Sequence, residues 1–382
     1  MKGAKIPIGR VLGVPVALHL NWVLIFALVW IALGGRFYPQ NFPQWSAAAS
    51  WAMALVATLI FFATVLGHEI AHALVARWRG VPVRGITLSF LGGAAEIERD
   101  ADRPVDELLI SGAGPLSSLA FAGGFYAVAR LAGGAPIDPL AFDAPAAGSL
   151  VAVTADYLAT INFWLAAFNA IPAFPLDGGR VLRGLIWLGT RDFLSATRLA
   201  AWIGRAIGSL FILYGLFQML RGHVEDLWYL LIGWFLNSMA LQSEQQVRMQ
   251  AILRRIPVAR LMHRDFPWVQ AGVAVRDLVY HHFTDPSRPG LPVIADGRFA
   301  GLVTWQDLQN LPPDRWDSTP VGQIMTPYAR LRTIQVGDNA EQLLRLLQNA
   351  EIKQAPVLED GRLVGMVGQD DILSVLNRGR ER

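Results

Sequence analysis

Two histidines and a glutamate form the pattern His-Glu-x-x-His at His68, Glu69 and His72. Because positions four apart share one face of a helix, His68 and His72 can both offer a ring nitrogen to one metal ion. Glu69 is placed to exchange a proton with a water molecule beside that ion. The types and spacing of these residues therefore predict metal-assisted hydrolysis.

The segments on either side of this pattern, 51–65 and 73–76, are almost wholly apolar. Imidazole and carboxylate groups are costly to place in hydrocarbon, so in a membrane-spanning helix they indicate a functional site. A chance occurrence of the pattern is less expected there than in a soluble sequence. The leading interpretation is a hydrolytic metal site inside the membrane.

A catalytic zinc generally has three protein ligands and one open position. The chain has no cysteine, so the third ligand must be a histidine or a carboxylate. Asp177 is the best candidate, because it follows a segment in which two prolines break the helix and precedes two glycines. Asn169, at the start of that segment, is predicted to donate its amide to a developing oxyanion. Alternatively, Asp177 is a turn residue and Asn169 a helix cap.

The elements that must position these residues are predicted to be membrane helices. The chain of 382 residues is 53% hydrophobic and only 16% charged, against about 25% charged in soluble domains. Since about 20 apolar residues span a bilayer, six spans are predicted, the first as a retained helix and not a cleaved signal peptide. They are Val16–Leu33, Ala52–Ala76, Leu108–Leu131, Val151–Ile171, Leu199–Leu220 and the shorter Leu227–Leu241. The small residues at 111–115 predict close helix packing.

Within the predicted membrane part, 1–242, lysine and arginine lie mainly in the N-terminal segment 2–10 and in the loops near 77–103 and 180–198. The positive-inside rule then predicts a multi-pass plasma-membrane protein with both termini in the cytoplasm. The net charge of +3 is too small to indicate nucleic-acid binding.

Residues 81–97 alternate glycine with β-branched and apolar residues, which predicts a β-hairpin. At membrane depth the N–H and C=O groups of its backbone need hydrogen-bond partners from the protein or from a water-filled cavity. The hairpin either offers its edge to an extended peptide or simply covers the site.

The C-terminal part contains two copies of one sequence pattern. Leu291–Val303 matches Ala355–Val367, and Asp-Gly between apolar runs predicts a hairpin in each copy. Asp307 corresponds to Asp371. The two copies are offset by 64 residues, from Leu291 to Ala355. Two copies of about that length predict a paired α/β module with a shared core.

Jointly, the His68–His72 pattern, the segment 169–178 and the tandem repeat resemble the site-2 protease family of intramembrane zinc metalloproteases. The closest likeness is to its prokaryotic branch with six spans and a C-terminal pair of CBS domains. The resemblance implies one zinc ion per chain, bound by His68, His72 and Asp177, with Glu69 as catalytic base and Asn169 assisting substrate or transition-state binding. The family often has Pro after that Asn, where this chain has Ala170.

The resemblance also implies regulated intramembrane proteolysis. The expected substrates are single-span membrane proteins, such as anti-sigma factors or membrane-tethered transcription factors, within the lipid bilayer. CBS pairs commonly bind adenosine nucleotides, and Thr304 and Asp307 fit the family's binding pattern, whereas the second copy has Gly368 in place of the hydroxyl. The pair is expected either to bind a nucleotide that modulates the membrane site or to serve only for docking or homodimer formation.

The predicted fold is a polytopic α-helical membrane protein of about six transmembrane helices. It has a small β-hairpin or sheet near the active site and a C-terminal α/β tandem CBS-domain pair. The predicted domains are a transmembrane metalloprotease at 1–242, a linker at 243–255, and CBS domains at 256–313 and 314–382.

Two other classes stay open: a CBS-regulated transporter or channel, and an inactive scaffold that binds membrane helices. Zinc content and cleavage by the wild type and Glu69→Gln distinguish the three.

Overall fold

A computed structural model describes residues 5–89, 92–97, 101–134, 149–223, 226–282, 290–350 and 352–378 of the chain. The chain divides into two compact units, Met1–Gln246 and Val247–Arg382.

The first unit is built mainly from helices. They are α1 (Trp22–Ala32), α2 (Tyr38–Asn41), α3 (Ala47–Trp78), α4 (Pro104–Leu131), α5 (Leu150–Asn169), α6 (Asp177–Thr190), α7 (Phe193–Leu220) and the larger part of α8 (Leu227–Arg254), and a π-helical segment, Leu33–Phe37, joins α1 to α2. Among the described residues, five stretches are long and apolar enough to cross a membrane: Trp22–Asn41, Ala47–Trp78, Pro104–Leu131, Leu150–Asn169 and Phe193–Leu220.

Two of the six predicted spans differ from these helices. The first prediction is wrong at its start, because Val14–His19 is a β-strand and α1 begins only at Trp22. A hydropathy window cannot separate a buried apolar strand from a helix. The last predicted span lies within α8, which is not among the five stretches because polar residues follow Leu241.

A four-stranded sheet packs against α3. Its strands are β1 (Lys5–Val11), β2 (Val14–His19), β3 (Val83–Ser89) and β4 (Gly92–Ile97), in that spatial order. β3 and β4 are antiparallel, which confirms the predicted hairpin, and β3 pairs with β2 in parallel. Val14, Ile86 and Leu88 contact Ile70 and Ala73 of α3. The sheet therefore covers the helix that carries the two histidines.

The second unit contains two small sheets. The first has strands β5 (Val269–Gln270), β6 (Leu291–Ala295), β7 (Arg298–Val303) and β8 (Thr326–Pro327), and the second has β9 (Ile334–Gln335), β10 (Gln354–Glu359) and β11 (Arg362–Gly368). The helices are α9 (Val275–His282), α10 (Trp305–Gln309), α11 (Val321–Ile324), α12 (Ala340–Ala350) and α13 (Gln369–Arg378). Both predicted Asp-Gly turns form, with positive φ at Asp296, Gly297, Asp360 and Gly361.

The two copies in this unit exchange their leading segments. Val258 and Leu261, which precede the first copy, lie in the core of the second with Leu343. Val321, which precedes the second copy, lies in the core of the first with Val293. Each core therefore draws on both of the predicted ranges 256–313 and 314–382.

Candidate active site

The two histidines of the pattern lie side by side on α3, and both are buried, with exposed fractions of 5% for His68 and 6% for His72. Their Nε2 atoms are 3.2 Å apart. Asp177 is the first residue of α6, and its Oδ2 is 3.1 Å from each Nε2. The structure thus brings together the three residues predicted as metal ligands.

The loop before α6 explains how Asp177 reaches the histidines. Gly178 and Gly179 lie against the loop backbone, and a Cβ on Gly178 would be 2.3 Å from the carbonyl oxygen of Ala170. A Cβ on Gly179 would be 2.6 Å from the backbone nitrogen of Phe174. Because real Cβ atoms do not approach so closely, only glycine lets the first turn of α6 pack under this loop. The paired glycines therefore allow α6 to start at Asp177, directly under the loop.

Two groups on α4 orient the imidazole rings. Nδ1 of His72 is 2.6 Å from the carbonyl oxygen of Ile110. A carbonyl oxygen only accepts, so this Nδ1 carries the hydrogen and Nε2 keeps its lone pair. Nδ1 of His68 is 2.9 Å from the hydroxyl oxygen of Ser118, which can accept in the same way. Such outer partners fix the tautomer that metal binding requires.

The donor set fits a zinc ion. Donor atoms on a tetrahedral zinc, about 2.0–2.1 Å from the metal, are roughly 3.3–3.4 Å apart, close to the 3.1–3.2 Å observed. With hydrogen on Nδ1 and none on Nε2, the two Nε2 atoms and the carboxylate oxygen are all acceptors, so they repel one another unless a metal ion or a proton lies among them.

Helix α4 lies close to both imidazole rings at Gly114. A Cβ on Gly114 would be 2.2 Å from Nε2 of His72 and 2.4 Å from Nε2 of His68. Any larger residue here would occupy the space that an ion needs. The small residues at 111–115 do give the close approach predicted for them, and the structure places that approach at the site.

Glu69 lies between α3 and the sheet. A Cβ on Gly93 of β4 would be 2.3 Å from Cγ of Glu69 and 2.9 Å from its Oε1. The backbone of β4 therefore passes directly beside this carboxylate. In the sheet formed by the described residues, β4 is an edge strand.

Asn169 is not brought into the cluster by any hydrogen bond that the structure gives it. Its side-chain amide donates to the carbonyl oxygen of Leu165, 2.9 Å away on the same helix. Its predicted oxyanion role stays a prediction.

Thr304 and Asp307 form a capping box at the start of α10. The backbone nitrogen and hydroxyl of Thr304 donate to Oδ2 of Asp307 at 2.8 and 2.7 Å. A cavity of about 420 Å³ lies beside the corresponding residue of the second copy, Asp371. Its lining includes His263, Asp265, Lys353, Gln354, Asp370 and Asp371, but neither Thr304 nor Asp307.

Sequence reasoning missed Ser118, Gly114 and the Ile110 carbonyl. They touch the histidines through the register of α4 against α3, and a single sequence carries no signal for that register. The only hint was the small-residue run at 111–115, which indicated a close helix contact without its partner.

Comparison with known proteins gives the following matches. Residues 56–213 match the sequence model of peptidase family M50, and residues 321–378 match that of the CBS domain. A protein of Mycobacterium tuberculosis named as the zinc metalloprotease Rip3 is 30% identical over 97% of this chain and 93% of its own length. A Synechocystis protein named as the zinc metalloprotease sll0528 is 29% identical over 97% of this chain and 95% of its own. The solved site-2 protease from Methanocaldococcus jannaschii is 28% identical and covers 63% of this chain and 95% of that one, with a TM-score of 0.42.

Proposed function

The chain belongs to peptidase family M50, the site-2 proteases, and we propose that it cleaves peptide bonds in or next to the membrane spans of other proteins. It is a zinc metalloprotease with several membrane-spanning helices and a C-terminal CBS domain. The observation that supports the proposal best is that the side chains of His68, His72 and Asp177 converge. The two histidines lie on α3, a long apolar helix, and Asp177 reaches them from the start of α6.

The proposed roles follow from the contacts. Nε2 of His68, Nε2 of His72 and Oδ2 of Asp177 would hold a zinc ion, one per chain. Zinc in such a site supplies Lewis acidity, which activates water and polarises a peptide carbonyl. Glu69 takes a proton from the attacking water and passes it to the leaving amine. One amide hydrogen of Asn169 is donated to the Leu165 carbonyl, and the second hydrogen is the one proposed to bind the oxyanion.

Strand β4 supports a mode of substrate binding. A helical substrate hides its carbonyls in its own hydrogen bonds, so it must unwind before water can attack. An extended substrate could pair with the edge strand β4, and its backbone would then run beside Glu69. Substrates with helix-breaking residues should therefore be cleaved faster. Single-span membrane proteins, such as anti-sigma factors or membrane-tethered transcription factors, are the proposed substrate class.

The test is co-expression with a panel of tagged single-span membrane proteins. We expect fragments with the wild type and a loss of about 10²–10⁴-fold in cleavage with Glu69→Gln, the usual contribution of a general base, while zinc content stays unchanged. Asp177→Ala, in contrast, should lose both zinc and cleavage. Equal cleavage by the wild type and Glu69→Gln would sink the proposal. Ion flux without proteolysis would instead favour a transporter, and substrate capture without cleavage would favour an inactive scaffold.

A further part of the proposal concerns regulation. The proposed ligand of the CBS pair is an adenosine nucleotide, and the cavity beside Asp371 suits it better than the capping box of Thr304 and Asp307. A volume of about 420 Å³ lies within the usual range of small-molecule sites, about 300–1,000 Å³. Nε2 of His263 is 2.6 Å from Oδ1 of Asp371, so a ribose that bound this carboxylate would replace that contact. Homodimer formation through the pair is the alternative role, tested by the mass of the purified protein.

Calorimetry on the full-length protein tests the nucleotide site. We expect heat with at least one of ATP, ADP and AMP, a loss of that heat in Asp371→Asn, and its retention in Asp307→Asn, which can still cap α10. No heat with any of the three nucleotides would remove the idea.

A further inference from the structure

Two adjacent carboxylates begin helix α4. Asp106 and Glu107 lie in its first turn, and both are buried, with an exposed fraction of 0% for Glu107. The N-terminus of a helix favours negative charge, but a buried carboxylate still needs direct partners. Those partners come from the two elements that carry the candidate metal ligands.

Glu107 is bound by two arginines of α6. Its Oε1 accepts from Nε of Arg180 at 3.2 Å and from Nη2 of Arg183 at 2.5 Å. The Arg183 guanidinium also stacks on Phe174 and Phe193, 5.4 and 4.6 Å from the ring centroids. Both arginines lie within two turns of Asp177 on the same helix, so Glu107 holds the end of α6 that carries this ligand.

Asp106 forms an ion pair at the end of α3, the helix that carries the two histidines. Its Oδ1 accepts from Nε of Arg79 at 2.6 Å, and Arg79 directly follows the last residue of α3. One turn of α4 therefore fixes α3, which carries the histidines, and α6, which carries Asp177.

Leu176, directly before α6, packs in a buried cluster with Ala173 and Leu236, so apolar contacts also hold the start of this helix. Further along, Leu182 and Ile186 pack against the core that includes Ala200 and Ala201 of α7. In the first turn, however, Gly178 and Gly179 have no side chains. A Cβ on Gly184 would be 2.9 Å from Cδ2 of Leu108, so α6 approaches α4 closely where Glu107 lies. The ion pairs to Glu107 thus add polar contacts between this part of α6 and α4.

From this geometry we propose that Glu107 is a positioning residue: through Arg180 and Arg183 it sets the place of the Asp177 carboxylate opposite the two histidines. Glu107 is not one of the converging ligands and acts only through α6. This inference rests on the proposed zinc site. A ligand atom must be held to within about 0.5 Å for tight binding, so a loosened α6 should release zinc faster without losing any ligand.

The experiment measures zinc content and the rate of zinc release to a chromogenic chelator, using full-length protein in detergent. In Glu107→Gln we expect zinc to be bound but released roughly ten- to a hundredfold faster than in the wild type, the range typical of outer-shell partners of metal ligands. The matched control is Asp156→Asn. Asp156 is also fully buried and also pairs with an arginine, Arg130 of α4, but it lies on α5, which carries none of the three ligands. Its zinc release should equal that of the wild type.

A release rate in Glu107→Gln equal to that of the wild type would overturn the inference, as would the same acceleration in Asp156→Asn. If Glu107→Gln does not fold, Arg180→Gln replaces it, because the Arg180 side chain is 28% exposed and Arg183 keeps its own contact. Faster release there supports the inference, and an unchanged rate overturns it. A wild-type protein without zinc would overturn the proposed function and this inference together, which distinguishes that failure from a failure of Glu107 alone.

Discussion

In a neutral histidine, a hydrogen on Nδ1 leaves a lone pair on Nε2, and that lone pair can bind a metal ion. The Ile110 carbonyl holds this hydrogen on His72, and among the described residues the Ser118 hydroxyl is the hydrogen-bond partner of Nδ1 of His68. The two rings therefore differ in how firmly they are held, because a carbonyl can only accept whereas a hydroxyl can also donate. His68 is the ring whose orientation depends on a side chain and can be tested by substitution.

We expect Ser118→Ala to weaken zinc binding about tenfold, since His68 would lose the partner of its Nδ1. The measurement is competition with a chelator of known affinity. Ser111→Ala is the matched control: Ser111 is a buried serine on the same helix, and its hydroxyl has no partner among the described residues. Equal zinc affinity in Ser118→Ala and the wild type would contradict the role given to Ser118.

At this scale the sequence predicted the three side chains that converge but not their supports. The types and spacing of His68 and His72 match a metal-binding pattern, and Asp177 was found because such a site needs a third ligand in a chain without cysteine. Ser118 and Glu107 could not, because a serine or glutamate on an apolar helix becomes a partner only once the neighbouring helix is in place. Thr304 and Asp307 matched a family pattern, yet this hydroxyl and carboxylate cap α10. A short pattern cannot separate a cap from a ligand-binding residue.

Among the elements, α4 does most to organise the site. It supplies the two outer partners of the histidines, the carboxylates that hold α3 and α6, and the glycine that faces the ligand atoms. Its own sequence, apart from the small residues at 111–115, reads only as an apolar span. An element without any ligand can therefore determine the geometry of a metal site.

Gly114→Ala should abolish zinc binding, because its methyl group would lie 2.2 Å and 2.4 Å from the two Nε2 atoms. Gly112→Ala is the control on the same helix, since a Cβ there meets no atom within 4 Å. It should bind zinc like the wild type, and both proteins can be measured by metal analysis after gel filtration. A full complement of zinc in Gly114→Ala would show that the ion does not lie where the donor atoms converge.

The elements themselves were largely predictable. Long apolar runs define α3, α4, α5 and α7 because a bilayer demands about 20 such residues. The alternation of glycine with β-branched residues defined the β3–β4 hairpin. The N-terminal hairpin of β1 and β2 was missed for two reasons. Val14, Val16 and Leu18 are as apolar as the residues of a membrane-spanning helix, and the strand that β2 pairs with, β3, lies far along the chain.

For the whole molecule, the question is how many helices cross the membrane. Five described stretches meet the criteria of length and hydropathy, and both termini share one side only if a sixth crosses. The apolar part of α8 is the candidate. A Cβ on Gly233 of α8 would be 2.4 Å from the carbonyl oxygen of Gly208 on α7, and Leu236 is fully buried. Such close glycine contacts are common between membrane helices.

The absence of native cysteine allows a direct test of this topology. In spheroplasts, an impermeant thiol reagent should label Gln44→Cys and Arg221→Cys. It should label Thr190→Cys and Gln246→Cys only after permeabilisation, because these positions are predicted to face the cytoplasm. Labelling of Gln246→Cys in intact spheroplasts would show that α8 does not cross the membrane.

The exchange of Val258 and Val321 between the two cores of the second unit has a consequence for biosynthesis. While the ribosome is still translating the first copy, the segment that completes its core has not been made. The early copy must therefore remain open, with its apolar strands exposed, until Val321 has left the exit tunnel. A nascent chain that stalls before that point would present an aggregation-prone intermediate to chaperones or proteases, so steady elongation through this stretch should favour a high yield.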